Sequence, residues 1–214
     1  MDFHRTRIKF CGMTHRDDID AAIALGVDAI GLVFVPASRR CVTIEQAHAL
    51  LRDLPALVQV VALVADPEPA QVDQLIARLS IDLLQFHGQE ANGDCRRYGV
   101  PFVKAIAMGD DAGWRQLDRY PDARALLLDG HASGELGGQG RAFDWNRLPP
   151  AVASRAIVAG GLNADNVATA IARLRPYAVD VSSGIESTPG RKDRERMVRF
   201  VREVRRADGE CSGG

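Results

Sequence analysis

The sequence has no excess of basic charge, since 27 lysines and arginines stand against 28 aspartates and glutamates in 214 residues. Proteins that hold a nucleic-acid backbone or an anionic membrane by charge need such an excess, so we expect neither partner. No apolar run approaches the roughly 20 residues that span a bilayer, and no signal-peptide pattern opens the chain. A cytoplasmic location is therefore expected.

Paired cysteines are missing as well. The four cysteines, Cys11, Cys41, Cys95 and Cys211, form no C-x-x-C pair, which argues against a zinc ribbon and against a disulfide framework. We expect four free thiols and no metal. The G-x-G-x-x-G and G-x-x-x-x-G-K-[ST] motifs are also absent, and this weakens the case for a dinucleotide-binding sheet or a P-loop.

The spacing of apolar residues along the chain predicts its helices and strands. Apolar residues recur at helical spacing in residues 72–79, 167–174 and 197–204. Short runs without alternation predict strands that are apolar on both faces, as in a parallel sheet covered by helices. There are eight such runs: 7–10, 29–35, 58–64, 82–86, 102–106, 125–129, 156–160 and 178–182. Helical patterns follow them, starting near residues 16, 43, 68, 90, 111, 143, 164 and 193.

Eight β-α units in one chain of this length predict a single (β/α)8 TIM barrel of near-minimal length, because such barrels run from about 200 residues upward. We place the barrel domain at residues 1–207 and expect a flexible C-terminal tail at 208–214, which is small and polar. A doubly wound sheet is the alternative. The glycine-rich connection over residues 130–142 is longer than most βα loops, which indicates a mobile lid that orders on ligand binding.

In a (β/α)8 barrel the catalytic groups follow the C-terminal ends of the strands. This rule selects residues by position alone, and they are Cys11, residues 36–40, His87, Asp129, Gly160, Gly161, Ser182, Ser183 and Gly184. The glycine and serine segments offer backbone N–H groups to an anion at the usual barrel phosphate site, although helix entrances alone would also explain them.

Cys11 and Asp129 have ordinary explanations when each is taken alone. A single cysteine is most often a small buried apolar residue, and a single aspartate most often caps a helix or lies in a turn. Both residues end strands of one predicted barrel, however, beside a predicted phosphate site. A thiolate can remove a carbon-bound proton and a protonated carboxyl can donate one, so the pair indicates acid–base chemistry.

Five segments in chain order now resemble a known family, phosphoribosylanthranilate isomerase of tryptophan biosynthesis. They are "KFCGMT", "GVDAIGLVFVPASRR", "LLQFHGQE", "VAGGLNADNV" and "VDVSSGIESTPGRKD", and "LLLDG" with "GGQGRAFDW" extends the likeness. The resemblance implies a (β/α)8 barrel and an Amadori rearrangement of N-(5-phosphoribosyl)anthranilate, a small phosphosugar, without cofactor or metal. It also implies a monomer or a homodimer.

The resemblance carries roles onto individual residues. Cys11 falls on the general base of the family, Asp129 on the general acid, and Arg40 on the arginine that binds the substrate carboxylate. His87 falls on a histidine near the site, where a substrate contact and a structural hydrogen bond are equally consistent. Arg39 is an alternative to Arg40.

Two departures lie in the Arg40 segment, where Cys41 replaces a usual tyrosine and Ala37 a common lysine. Asp180 and Glu186 flank the phosphate segment and are weaker candidates. Two alternatives stay open: another phosphosugar barrel, such as indole-glycerol-phosphate synthase or a thiamine-phosphate synthase, and a non-catalytic phosphate-binding or thiol redox barrel.

Overall fold

Eight parallel strands close into a barrel in the computed structural model, which describes residues 5–130, 144–153 and 155–212. Each strand pairs with its neighbours in chain order, and β8 pairs with β1 to complete the ring. The strands are β1 (Arg7–Cys11), β2 (Ala29–Val33), β3 (Gln59–Val64), β4 (Leu83–Phe86), β5 (Phe102–Ala107), β6 (Ala125–Asp129), β7 (Ile157–Val158) and β8 (Ala178–Val181). The predicted TIM barrel is confirmed, and the doubly wound sheet is excluded.

Helices follow every barrel strand. They are α1 (Arg16–Ala24), α2 (Ile44–Leu50), α3 (Pro69–Arg78), α4 (Asn92–Arg96), α5 (Asp111–Trp114), α6 (Pro150–Ala153), α7 (Val167–Leu174) and α8 (Arg194–Ser212). Within the described ranges, no helix is both long and apolar enough to cross a membrane. The structure describes neither residue 143, near which a helix was predicted to start, nor residues 131–142 of the predicted lid at 130–142, so the lid stays a prediction.

The hydrophobic core has two layers, because alternate residues of each strand face opposite sides. The larger layer lies between the strands and the helices and includes Phe10, Leu84 and Phe200. The smaller layer fills the barrel interior with residues such as Val103, Leu127 and Ile157. These side chains make the interior a packed floor rather than a pore, so a ligand can enter only above it.

The C-terminal helix ties the two ends of the chain together. The backbone N–H and the hydroxyl of Thr6, just before β1, donate hydrogen bonds to the Asp208 carboxylate at 2.9 and 2.6 Å. α8 therefore continues beyond residue 207, the predicted end of the domain, to Ser212. The flexibility expected for the tail stays a prediction.

A short antiparallel hairpin, which the sequence did not predict, separates β8 from α8. It consists of β9 (Glu186–Thr188) and β10 (Arg191–Lys192), and it follows a 3-10 turn over Ser183–Ile185. Glu186 and Lys192 are buried although their segment is polar. The hairpin thus places two charged side chains at the C-terminal mouth of the barrel.

Candidate active site

A cavity of about 580 Å³ opens at the C-terminal ends of the strands. It is lined by eight of the nine predicted site residues: Cys11, Arg40, His87, Asp129, Gly160, Gly161, Ser182 and Ser183. The ninth, Gly184, directly follows Ser183 in the chain. The barrel thus brings together groups that lie up to 173 positions apart in the chain, from Cys11 to Gly184.

Cys11 ends β1 with its thiol facing the cavity, and only 5% of the residue is exposed. Lys9 lies two positions earlier on the same face and forms a buried ion pair with Asp180 of β8, with 2.7 Å between Nζ and Oδ1. Burial raises the pKa of the Cys11 thiol, and the Lys9 ammonium opposes that rise. Burial raises the pKa of Asp180 as well, and the Lys9 ammonium opposes that rise too.

Asp129 ends β6, and its carboxylate lies beside His87, which directly follows β4. The His87 Nε2 atom is 3.7 Å from Asp129 Oδ2, and Nδ1 is 3.2 Å from the side-chain nitrogen of Gln85. With the Gln85 amide donating to Nδ1, the proton of the neutral imidazole lies on Nε2 and faces the carboxylate. At 3.7 Å the Nε2 atom is too far from Oδ2 for a hydrogen bond, so a substrate contact and a structural role for His87 both stay predictions.

The loops after β7 and β8 depend on glycine for their backbone shape and their close packing. Gly160 and Gly161 have φ angles of 79° and 66°, in the left-handed region that favours glycine. A Cβ atom on Gly184 would lie 1.9 Å from the carbonyl oxygen of Leu162, so only glycine allows the two loops to pack this closely. Residues of both loops, Gly160, Gly161, Ser182 and Ser183, line the cavity, and the anion site there stays a prediction.

Arg40 lines the cavity and binds a carboxylate of the protein itself. Its Nε and Nη2 atoms donate to the two oxygens of Glu186 at 2.8 and 2.7 Å. Lys192 donates to the same carboxylate at 2.9 Å and to the backbone oxygen of Cys11 at 2.6 Å. Burial alone would raise the pKa of Glu186, but Arg40 and Lys192 hold it below its usual value. Arg39 is exposed at the rim of the same cavity.

Sequence reasoning missed Lys9 and Lys192 as members of this site. Lys192 lies in "GRKD", a polar stretch that looks like an exposed turn, and only the hairpin brings it to Glu186. The sequence could have indicated Lys9, because a lysine in a barrel strand two positions before Cys11 faces the same side as Cys11, the barrel interior. Cys95 is buried and Cys41 is exposed; both are free thiols, and neither lines the cavity.

A closed parallel barrel with a thiol, carboxylates and cationic groups around one C-terminal cavity belongs to the class of (β/α)8-barrel enzymes. The model of the N-(5'-phosphoribosyl)anthranilate isomerase family matches residues 8–203. The chain belongs to that family, the isomerases of tryptophan biosynthesis. The alternatives of another phosphosugar barrel and of a non-catalytic barrel are thereby excluded.

Individual relatives agree with the family. The Halorhodospira halophila N-(5'-phosphoribosyl)anthranilate isomerase is 50% identical over 205 residues, which cover 95% of this chain and 99% of the relative. The Thermotoga maritima enzyme structure superposes with a TM-score of 0.85 at 33% identity, covering 94% of this chain and 98% of that one. A further structure, with reduced 1-(o-carboxyphenylamino)-1-deoxyribulose 5-phosphate bound, gives 0.82 at 31% identity and the same coverage.

Proposed function

We propose that this cavity catalyses the Amadori rearrangement of N-(5-phosphoribosyl)anthranilate to 1-(2-carboxyphenylamino)-1-deoxyribulose 5-phosphate. One observation carries the proposal: Cys11 ends β1, Asp129 ends β6, and in the closed barrel the glycine loops of β7 and β8 lie between them. A phosphate held at those loops would place the sugar between an acid and a base. The two proton transfers need no other chemical group, so the proposal includes no cofactor or metal.

Asp129 acts first, as the general acid. It donates a proton to the ribose ring oxygen, the bond from that oxygen to C1 breaks, and the nitrogen lone pair forms the C1–N double bond of a Schiff base. His87 supports this step through its position beside Asp129. A carboxyl group buried next to an imidazole is held in one orientation, as proton transfer requires.

Cys11 acts second, as the general base. Its thiolate takes the proton from C2, and the electron pair of that C–H bond forms the C1–C2 double bond while the imine nitrogen becomes a neutral amine. The resulting enolamine tautomerises to the ketone product. Burial of the sulfur excludes water from this intermediate and fixes the direction of attack.

The ends of the substrate carry charges that the cavity matches. The phosphate faces the N–H groups around Gly161, Ser182 and Ser183, and the anthranilate carboxylate faces Arg40. A guanidinium has five N–H donors, and Glu186 uses two of them, so Arg40 can bind both carboxylates. All of these residues come from one barrel, so either a monomer or a homodimer would be active, and we place the enzyme in the cytoplasm.

A direct assay tests the proposed function. We expect the purified chain to convert N-(5-phosphoribosyl)anthranilate to the ribulose product, identified by chromatography and mass spectrometry. The matched control is the Cys11→Ser/Asp129→Asn double variant, purified identically, which should be inactive because both proton-transfer groups are gone. Equal conversion by the control and the wild type would contradict the proposal.

A negative charge placed in the predicted phosphate site tests that end of the cavity. We expect Ser183→Asp to raise KM about tenfold or more, with a smaller effect on kcat, because the new carboxylate repels the substrate phosphate. The matched control is Ser80→Asp, the same change at an exposed position after α3, at the opposite end of the barrel. Steady-state kinetics give both constants, and an equal KM in the two variants would argue against this site.

A further inference from the structure

Lys9 is a buried lysine that the mechanism above does not use. It lies on β1 two positions before Cys11, and residues two apart in a strand face the same side. Lys9 also pairs in register with Asp180 of β8. All three side chains therefore project into the barrel interior, and the residues are 4%, 5% and 9% exposed for Lys9, Cys11 and Asp180.

The Lys9 ammonium lies between two acidic groups. Nζ is 2.7 Å from Asp180 Oδ1. On the other side, Gly31 of β2 pairs in register with Cys11, and a Cβ atom at Gly31 would lie 3.0 Å from the Cys11 sulfur and 3.1 Å from Lys9 Nζ. The sulfur and the ammonium thus border one small gap that Gly31 leaves open. Any larger residue there would push them apart.

The other charged groups around the thiol come from different elements and already have partners. Lys192 of β10 binds Glu186 and the backbone oxygen of Cys11, and Arg40 from the loop after β2 binds Glu186. The Asp129 carboxyl group on β6 lines the same cavity. Lys9 differs from the other two cations, because its ammonium contacts the side chains of an acid and of the proposed base.

We propose that Lys9 is the counter-ion shared by Asp180 and Cys11, and that it positions the Cys11 sulfur and stabilises its thiolate form. This inference rests on the proposed function, since it explains how the base is kept ready. Burial alone would lower the pKa of Lys9, but Asp180 and Cys11 raise it above its usual value, so the ammonium stays charged.

The Lys9 ammonium still has a negatively charged partner after proton transfer. When the thiolate takes the C2 proton, the sulfur becomes a neutral thiol and the electron pair moves into the substrate. Lys9 then keeps Asp180 as its partner, so no buried cation is left alone. A buried unpaired charge is costly, and Asp180 removes that cost from the step.

Two substitutions should change the alkylation rate of the Cys11 thiol in opposite directions. We expect Lys9→Met to lower the rate of Cys11 alkylation by iodoacetamide at neutral pH about tenfold or more, because a lost neighbouring charge shifts a pKa by about one unit or more. Asp180→Asn should raise the rate, because the whole ammonium charge then faces the sulfur. Alkylation is followed against pH by mass spectrometry of the Cys11 peptide, in a Cys41→Ser background that removes the exposed thiol.

Controls separate this role from a structural one. Lys9→Arg keeps the charge and should retain most of the wild-type rate. If Lys9→Met does not fold, Asp180→Asn is compared with Lys9→Met/Asp180→Asn, which has no stranded carboxylate, and the double variant should react more slowly. Shifts in the same direction for Lys9→Met and Asp180→Asn, or no shift in either, would overturn the inference. The titration uses no substrate, so it is independent of whether Cys11→Ser retains turnover, the outcome that would overturn the proposed base.

Discussion

Replacing Cys11 by serine is expected to lower kcat by about 10²–10⁴-fold, the range typical of a general acid–base group, with little change in KM. Serine nearly matches cysteine in shape, so the barrel should keep its packing around this buried position. The hydroxyl is far harder to ionise than the thiol, however, and even a neighbouring ammonium cannot make it a useful base near neutral pH. The expected loss therefore measures chemistry rather than folding.

The matched control is Cys41→Ser, the same change at an exposed cysteine that does not line the cavity, which should keep close to the wild-type kcat. Thermal unfolding of both variants checks that the barrel is intact. Retention of more than about half of the activity by Cys11→Ser would mean that another group, such as a water molecule, removes the C2 proton.

Replacing Asp129 by asparagine is expected to lower kcat over the same range, about 10²–10⁴-fold. The amide keeps the shape of the side chain and its place beside His87 but has no proton to give to the ring oxygen. Substrate binding should be almost unchanged, because the proposed binding mode places neither the phosphate nor the carboxylate of the substrate against this residue. Steady-state kinetics of the pure variant should show the loss in kcat and not in KM.

Asp73→Asn is the control for this change, since Asp73 is an exposed residue on α3. The losses from Cys11→Ser and Asp129→Asn are not expected to add, because both groups serve one sequence of proton transfers and residues that act as a unit are strongly non-additive. A wild-type kcat for Asp129→Asn would show that Asp129 is not the general acid.

The sequence predicted the barrel well because its strands are buried on both faces and its helices are amphipathic. The first and last residues of β6 were predicted correctly, and the bounds of the other strands were predicted to within a few residues. β7 is shorter than its apolar run, with two residues in place of five, because the chain turns at Gly160 and Gly161. The hairpin of β9 and β10 was not predicted, since strands of two or three residues leave no periodic pattern.

The site was predictable only in part. The position of Cys11 and Asp129 at one cavity was predictable, because the topology of the barrel brings the C-terminal ends of its strands together. The partners of Arg40 were not, because its contact with Glu186 joins residues 146 positions apart and depends on the hairpin. The ion pair of Lys9 and Asp180 was missed for the same reason, since register between the first and last strands exists only after the barrel closes.

That closure has a consequence for how the enzyme is made. Cys11 leaves the ribosome well before its neighbours Asp180 and Lys192, which follow it in the chain by 169 and 181 positions. β1 has an unpaired edge until β8 emerges, since domains of a growing chain become available from the N-terminus. While the barrel is being synthesised, the thiol therefore lacks Asp180 and Lys192, and only Lys9, two positions earlier in the chain, emerges together with it. The active site is assembled only when β8 has been made and pairs with β1.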